Sequence, residues 1–398
     1  MENKFFHDDR CNRCGECFTR CQYLNLSRAE AVEEIEGLIS GAGGEKVMKH
    51  CVSCSACDAF CPYDARPYSL ILQRWDRRYR AEGLPVRASY LLPYHEPNYR
   101  SDVEEKMSPR ERELLARWKG APAEGEFLYP GCNLLTMPYL FDLRVLDRLP
   151  VSGDMSLCCG EPFYRMGLFP VMEKIAAHLT AYYADKPVKK MVFVCPACLN
   201  MFRTILARDF GAKFNFECEY IGTWLLREMD EGRLTVTKPL NRTITLHDSC
   251  HARVLGDEIM GQTRELLGRL GLKVVEMKRH HEEGLCCGIA AGCRTYLPHD
   301  IVLASRRTLK EAAGTGAAEM GIYCTGCYLM LNITRHLVPG GQQLRHTLEF
   351  LAEATGAPAP GVVKPRTRGI LWNITRKAIP KMASRQRYFV EELQTKKK

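Results

Sequence analysis

Residues 191–207 read MVFVCPACLNMFRTILA, and residues 321–337 read GIYCTGCYLMLNITRHL. Each opens on a short apolar run suited to a buried strand, turns through Cys-x-x-Cys, and continues as an apolar stretch of helical length. Strand, cysteine turn, helix is therefore a repeating unit. Outward from it, FLYPGC (127–132) and ITLHDSC (244–250) each carry a strand into a further cysteine. LCCGEPFYRMG (157–167) and LCCGIAAG (285–292) lie between, so the order Cys, Cys-Cys-Gly, Cys-x-x-Cys occurs twice. One set is Cys132, Cys158, Cys159, Cys195 and Cys198; the other is Cys250, Cys286, Cys287, Cys324 and Cys327. The long gaps are 25 and 35 residues in the first set and 35 and 36 in the second, a close duplication with one shortened loop. Two similar α/β lobes are expected over 126–240 and 241–356, with cysteines where strands end and helices begin.

Ahead of the lobes, Cys11, Cys14, Cys17 and Cys21 follow C-x2-C-x2-C-x3-C, and Cys51, Cys54, Cys57 and Cys61 repeat the pattern. Three thiolates stepped by three residues curl round one face of a cubane, and the fourth belongs to the neighbouring cluster. The expected sets are Cys11, Cys14, Cys17 with Cys61, and Cys51, Cys54, Cys57 with Cys21. Zinc is the competing ion, but it is satisfied by two Cys-x-x-Cys pairs in a tetrahedron, a poorer match to this stepping. Pro62 completes the second motif, whereas Gln22 follows Cys21 in the first without loss of a ligand. Between the motifs, AEAVEEIEGLISGAGG (29–44) places Ala31, Ile35, Leu38 and Ile39 at helical spacing before a Gly-rich stop. Residues 1–80 thus read as a small helical domain. Residues 81–125, with five prolines and no cysteine, read as a linker containing one capped helix after Ser108-Pro109.

The chain of 398 residues has 20 cysteines and a formal charge of +9. From Val362 to Lys398 there are 11 Lys or Arg against Glu391 and Glu392, so the body is neutral and the excess sits in the tail, 357–398. That distribution argues against a nucleic-acid groove and for a segment that docks on something acidic, either a protein partner or a membrane surface. Ile370, Leu371, Ile374, Ala378 and Met382 form a candidate apolar stripe, with Trp372 and Tyr388 as anchors and Pro380 as a bend. No secretory pattern opens the sequence and no apolar stretch is long enough to span a bilayer, so a cytoplasmic protein, peripheral to the membrane through partners, is expected. In that reducing compartment a cysteine-rich chain points to metal.

Five thiolates exceed what zinc or a single cubane needs, so a larger or irregular cluster fits each lobe better, with zinc the alternative at the first set. Gly160 and Gly288 would let backbone approach closely, and helices after Cys198 and Cys327 would present N–H groups to an anionic cluster. On these motifs residues 8–355 resemble the cysteine-rich CCG-domain proteins, in particular the CCG-containing subunits of heterodisulfide reductase and of anaerobic glycerol-3-phosphate dehydrogenase. The resemblance implies a multidomain α+β protein: an N-terminal helical two-cluster ferredoxin domain followed by two duplicated α/β CCG domains. It also implies two [4Fe-4S] cubanes, noncubane [4Fe-4S] clusters in the CCG sets, and membership of an anaerobic redox complex with flavin- or iron-sulfur-containing partner subunits. Two functions follow: reduction of a small disulfide or similar acceptor, or a pure relay linking a dehydrogenase or acyl-CoA-reducing complex to quinone, ferredoxin or a flavoprotein. A zinc-stabilised scaffold carrying only the two cubanes is the third reading. His247 and His251 flank Cys250 in HDSCH and are candidate acids; Cys218 and Cys293 fit no set, and Cys293 is expected to line the site.

Overall fold

The computed structural model describes residues 4–122, 124–358 and 361–393. A two-residue ribbon pairs β1 (Leu84–Pro85) antiparallel with the C-terminal segment Arg387–Tyr388. The first lobe holds β2 (Gly125–Tyr129), β3 (Val188–Phe193) and β4 (Glu217–Tyr220) in a parallel sheet of order β2-β3-β4. The second holds β5 (Arg242–His247), β6 (Leu272–Val275), β7 (Glu319–Ile322) and β8 (Gln343–His346), all parallel, in the order β6-β5-β7-β8. Helices cover both sheets, and Met191, Val192, Ile244, Leu246, Met320 and Ile322 are fully buried, as central parallel strands require.

The two sheets superimpose in topology: β2 corresponds to β5, β3 to β7, β4 to β8. In the place of β6 the first lobe has a single parallel bridge, Leu128 to Val151. The second lobe uses its longer interval for the helix Asp257–Arg269, where the first has only 3-10 turns at Pro138–Phe141 and Arg144–Leu146. That is the physical content of the 25-residue gap. Cysteines follow within three residues of the ends of β2, β3, β5 and β7, the position where open α/β sheets bind ligands.

The N-terminal region is helical. Ser27 and Glu30 make a reciprocal capping box at the start of Arg28–Ser40, whose Ala31, Ile35 and Leu38 are buried, and Gly41 ends it in the left-handed conformation. Beyond Glu82 the chain does not leave the body: Tyr90, Tyr94, Tyr99 and Trp118 are buried, and Ser108 caps the helix Pro109–Trp118. At the far end the helix Val363–Lys377 packs on Thr325–Arg335 and Tyr99–Glu104. Its Ile370 is buried and Ile374 half-buried, so the inner stripe of this basic segment is spent inside the molecule. Arg366 binds Glu111 at 2.6 and 2.9 Å, and Lys377 binds Asp102 at 2.5 Å.

The N-terminal region is fixed to the first lobe by a buried ion pair in which Arg66 Nη2 donates to both oxygens of Asp209, at 2.9 and 2.7 Å. Removing one member of such a pair leaves the other charge buried without compensation. Asp209→Ala is therefore expected to cost about 3–5 kcal/mol in chemical denaturation of the purified chain, and a loss below about 1 kcal/mol would contradict this account.

Candidate functional site

The backbone of the first 65 residues curls twice in the same way. Arg13 and Ser53 have φ of 58° and 56°, and Gly15 and Ser55 have φ of 73° and 57°, so left-handed residues flank both Cys14 and Cys54. Short helices, Glu16–Thr19 and Ala56–Ala59, follow. The curl brings Cys11, Cys14, Cys17 and Cys61 round one small cavity with Ile35 and Pro62. Burial, reinforced by Cys61, Cys11 and Cys14, pushes the Cys17 thiol well up. Cys21 faces Cys54, and Cys51 lies beside both. Burial raises Cys21 to about 11. Backbone N–H groups of Ser53 and Ala65 donate to the sulfurs of Cys51 and Cys61 at 3.3 and 3.4 Å. The geometry thus groups each stepped triplet near the fourth cysteine of the other motif.

In the lobes all ten cysteines are buried. Cys159 Sγ lies 3.6 Å from Cys198 Sγ, while Cys132 meets Cys158 and Cys195 meets Cys198. In the second lobe Cys250 meets Cys286, and Cys287 meets Cys327, which meets Cys324. Across the pseudo-twofold, Cys195 Sγ and Cys324 Sγ are 3.7 Å apart. Hydrogen bonds from Cys158 and Cys198 lower Cys159 to about 6, and bonds from Cys286 and Cys327 lower Cys287 to about 5. These are equivalent positions; Cys195 is also lowered, by bonds from Cys198 and Cys324, whereas its counterpart Cys324 is raised. The glycines that follow are obligatory: Gly288 has φ of 96°, and a Cβ on it would lie 2.3 Å from Ser305 Oγ.

Several charged and polar side chains complete this centre. Arg165, on the helix after Gly160, crosses to the second lobe, where its Nη2 donates to Cys250 Sγ at 3.2 Å. His251 Nε2 lies 2.6 Å from the same guanidinium and 2.9 Å from Glu161 Oε1, and its Nδ1 is 3.1 Å from Asn200 Nδ2. Burial would raise Glu161, but Arg165 and His251 hold it down to about 2. Arg100 interacts with Cys132 and Cys158 of the first set, and Tyr94 bonds the Cys158 carbonyl at 2.8 Å. His247 is wholly buried beside Cys287 and Cys327, with neither ring nitrogen partnered among the described residues. Burial lowers it to about 4, so at neutral pH it is an uncharged imidazole whose N–H can donate to sulfur. His346, likewise buried, lies near Cys195. Cys293 lines the cleft between the lobes, whereas Cys218 sits apart on β4.

That cleft, of about 70 Å³, is walled by Leu91, Arg100, Glu161, Cys293, Leu329 and Ile370 among others. It is mostly aliphatic, with the Arg100 and Arg165 guanidiniums at its margin. Neither arginine is evident from motif spacing. One signal does exist: Arg165 stands six residues after Cys159, as Cys293 stands six after Cys287.

Residues 128–203 and 244–332 match the cysteine-rich CCG domain, so the chain carries two copies of that domain. It is homologous to the CCG-containing chain of heterodisulfide reductase and to other iron-sulfur oxidoreductases. It is 25% identical to a subunit of the dihydromethanophenazine:CoB–CoM heterodisulfide reductase of Methanosarcina barkeri over 87% of this chain and 94% of the relative. Identity to the EtfAB:quinone oxidoreductase of Syntrophomonas wolfei is 27% over 70% of this chain and 42% of the relative. A subunit of the fumarate reductase (CoM/CoB) of Methanothermobacter marburgensis is 27% identical over 45% of this chain and 33% of the relative. These relationships support an electron-transfer role built on Fe–S clusters, alongside redox partner subunits.

The Glu161–Arg165 pair yields a measurable consequence. Arg165→Met strands a buried carboxylate, whereas adding Glu161→Gln removes that charge. The double variant is expected to melt at or above the single one, with a coupling of about 0.5–3 kcal/mol in a double-mutant cycle. Strictly additive losses would refute the pairing.

Proposed function

We propose that the chain is the iron-sulfur subunit of a redox complex, passing electrons from an N-terminal two-cubane ferredoxin-like domain (1–80) to the CCG domains (126–240 and 241–356), which reduce a disulfide or similar acceptor in the cleft. Clusters bound at the cysteine sets supply one-electron chemistry. Cys11, Cys14, Cys17 and Cys61 would hold one cubane, and Cys51, Cys54, Cys57 and Cys21 the other. The two five-cysteine sets would hold noncubane clusters, since five convergent thiols in each exceed the needs of zinc.

The observation that carries this reading is an unbroken succession of sets. Cys57 lies near Cys17; Cys54 and Cys286 share a core cluster with Cys250; Cys324 touches Cys195. The order of the cysteine sets is therefore that of Cys11, that of Cys51, the second CCG set, the first CCG set. Tyr23 secures the middle junction by accepting from the Cys286 N–H at 3.0 Å. Arg165 and Arg100 each place a fixed positive charge on one CCG set, favouring the anionic, reduced state. Cleaving a disulfide takes two electrons and two protons and gives two thiols. The walls of the cleft are mostly aliphatic, and Arg100 and Arg165, which line it, each reach one cysteine set. Relay to a partner without disulfide chemistry is the second reading, favoured by the likeness to an EtfAB:quinone oxidoreductase.

Anaerobically purified protein should contain about 16 irons per chain, and about 8 irons with zinc would refute the loaded CCG sets. Cys286→Ser should leave the signals of the first cubane intact and abolish reduction of disulfides by an artificial donor. If wild type itself turns over no disulfide and shows no thiol-dependent spectral change, the relay reading stands instead.

A further inference from the structure

The helix Val363–Lys377 has two faces. Val363, Thr367, Ile370 and Asn373 are buried against the body. On the opposite side Lys364, Arg368, Trp372 and Arg376 succeed one another at intervals of four, forming a single exposed row. Trp372 is 60% exposed and Ile379, just beyond, is 42% exposed. At the other end of the row His336 Nε2 lies 3.0 Å from Thr367 Oγ1, which brings Leu337, 51% exposed, alongside.

Among the described residues Lys364, Arg368 and Arg376 form no ion pair. The acids that flank the helix are already taken, Glu111 by Arg366 and Asp102 by Lys377. Lys381 and Arg385, which follow, are also unpaired among the described residues. The stripe chosen from sequence spacing, Ile370 to Met382, is turned largely inward. The outward row is the one left without a partner.

We propose that this row is a membrane-surface contact, seating the chain on an anionic lipid headgroup layer. The argument is charge complementarity combined with geometry. Cations spaced along one line suit a plane of negative headgroups, an indole at the centre of the row suits the interfacial zone, and aliphatic side chains at both ends reach the acyl boundary. No helix among the described residues is long and apolar enough to cross a membrane, so the contact is superficial.

The chain carries its own reporter. Of its four tryptophans, Trp75, Trp118 and Trp224 are 4%, 5% and 1% exposed, so only Trp372 responds to a surface. Cluster-loaded protein should co-float with vesicles of roughly 30% phosphatidylglycerol in phosphatidylcholine at about 50 mM salt and dissociate at about 500 mM, with a blue shift of tryptophan emission on binding. Arg368→Glu with Arg376→Glu should weaken binding about tenfold or more, and Trp372→Ser should remove the blue shift. These side chains hold nothing in the fold, so iron content and melting should be unchanged. If the variants nevertheless unfold, the salt dependence and blue shift of the wild type still decide. Failure to float at low salt, equal binding to pure phosphatidylcholine, or unshifted emission would overturn the proposal; the last would point to an acidic protein partner.

Discussion

Crowding of buried thiols is the constraint on which this molecule depends. Ten cysteines converge in the interior between two sheets, and eight more wrap the N-terminal region beside them. In a low-dielectric setting their thiolates repel, and burial, reinforced by that repulsion, pushes Cys17, Cys51 and Cys57 strongly toward the neutral form. Iron bound at these sets would compensate that charge, and the protein adds to it. Backbone N–H groups point at Cys51 and Cys61, a neutral imidazole lies against Cys287 and Cys327, and guanidiniums are set beside Cys132 and Cys250. Metal binding at these sets would be coupled to the fold and to proton release, because the ligating thiols must be deprotonated.

The solution is distributed over the whole chain. Arg165 belongs to the first lobe and serves the second. Arg100 and Tyr94 lie in the stretch between the N-terminal region and the lobes, and both serve the first set. Tyr23, from the N-terminal region, holds Cys286. Each CCG set is thus completed by residues from outside its own lobe, which ties assembly of the site to docking of the parts.

This explains what could be read without coordinates and what could not. The cysteines announce themselves because metal ligation imposes short local spacings, and the duplication shows because both copies keep the order. The helix Arg28–Ser40 was equally legible, since its apolar spacing and Gly-rich stop are local, although its capping box was not read. Arg100, Arg165 and Glu161 were not, because their partners are distant in sequence and an arginine beside a motif looks like any solvated arginine. Residues 81–125 read as a linker from their prolines, yet Tyr90, Tyr94 and Tyr99 are buried. Proline density reports the absence of long regular elements rather than the absence of packing. The tail posed a further ambiguity. Periodicity locates an amphipathic helix and its apolar stripe but does not say whether the protein or something else covers that stripe.

The shortened loop of the first lobe ties these points together. In the second lobe the helix Asp257–Arg269 packs across the edge of the first, against Ile221–Asp230, with Tyr220 and Thr263 hydroxyls 3.0 Å apart. A true twofold would place an equivalent helix against Thr347–Ala354. The turn Pro138–Phe141 stands there instead, and its Tyr139 lies under Arg366 and near Glu349. Arg366 also donates to the Thr136 carbonyl at 2.8 Å. The deletion therefore provides the seat for the C-terminal helix, whose Ile370 and Ile374 close one wall of the cleft. One side of the pseudo-dimer is given to the N-terminal cysteines and the other to a cover, so a duplicated fold acquires a direction.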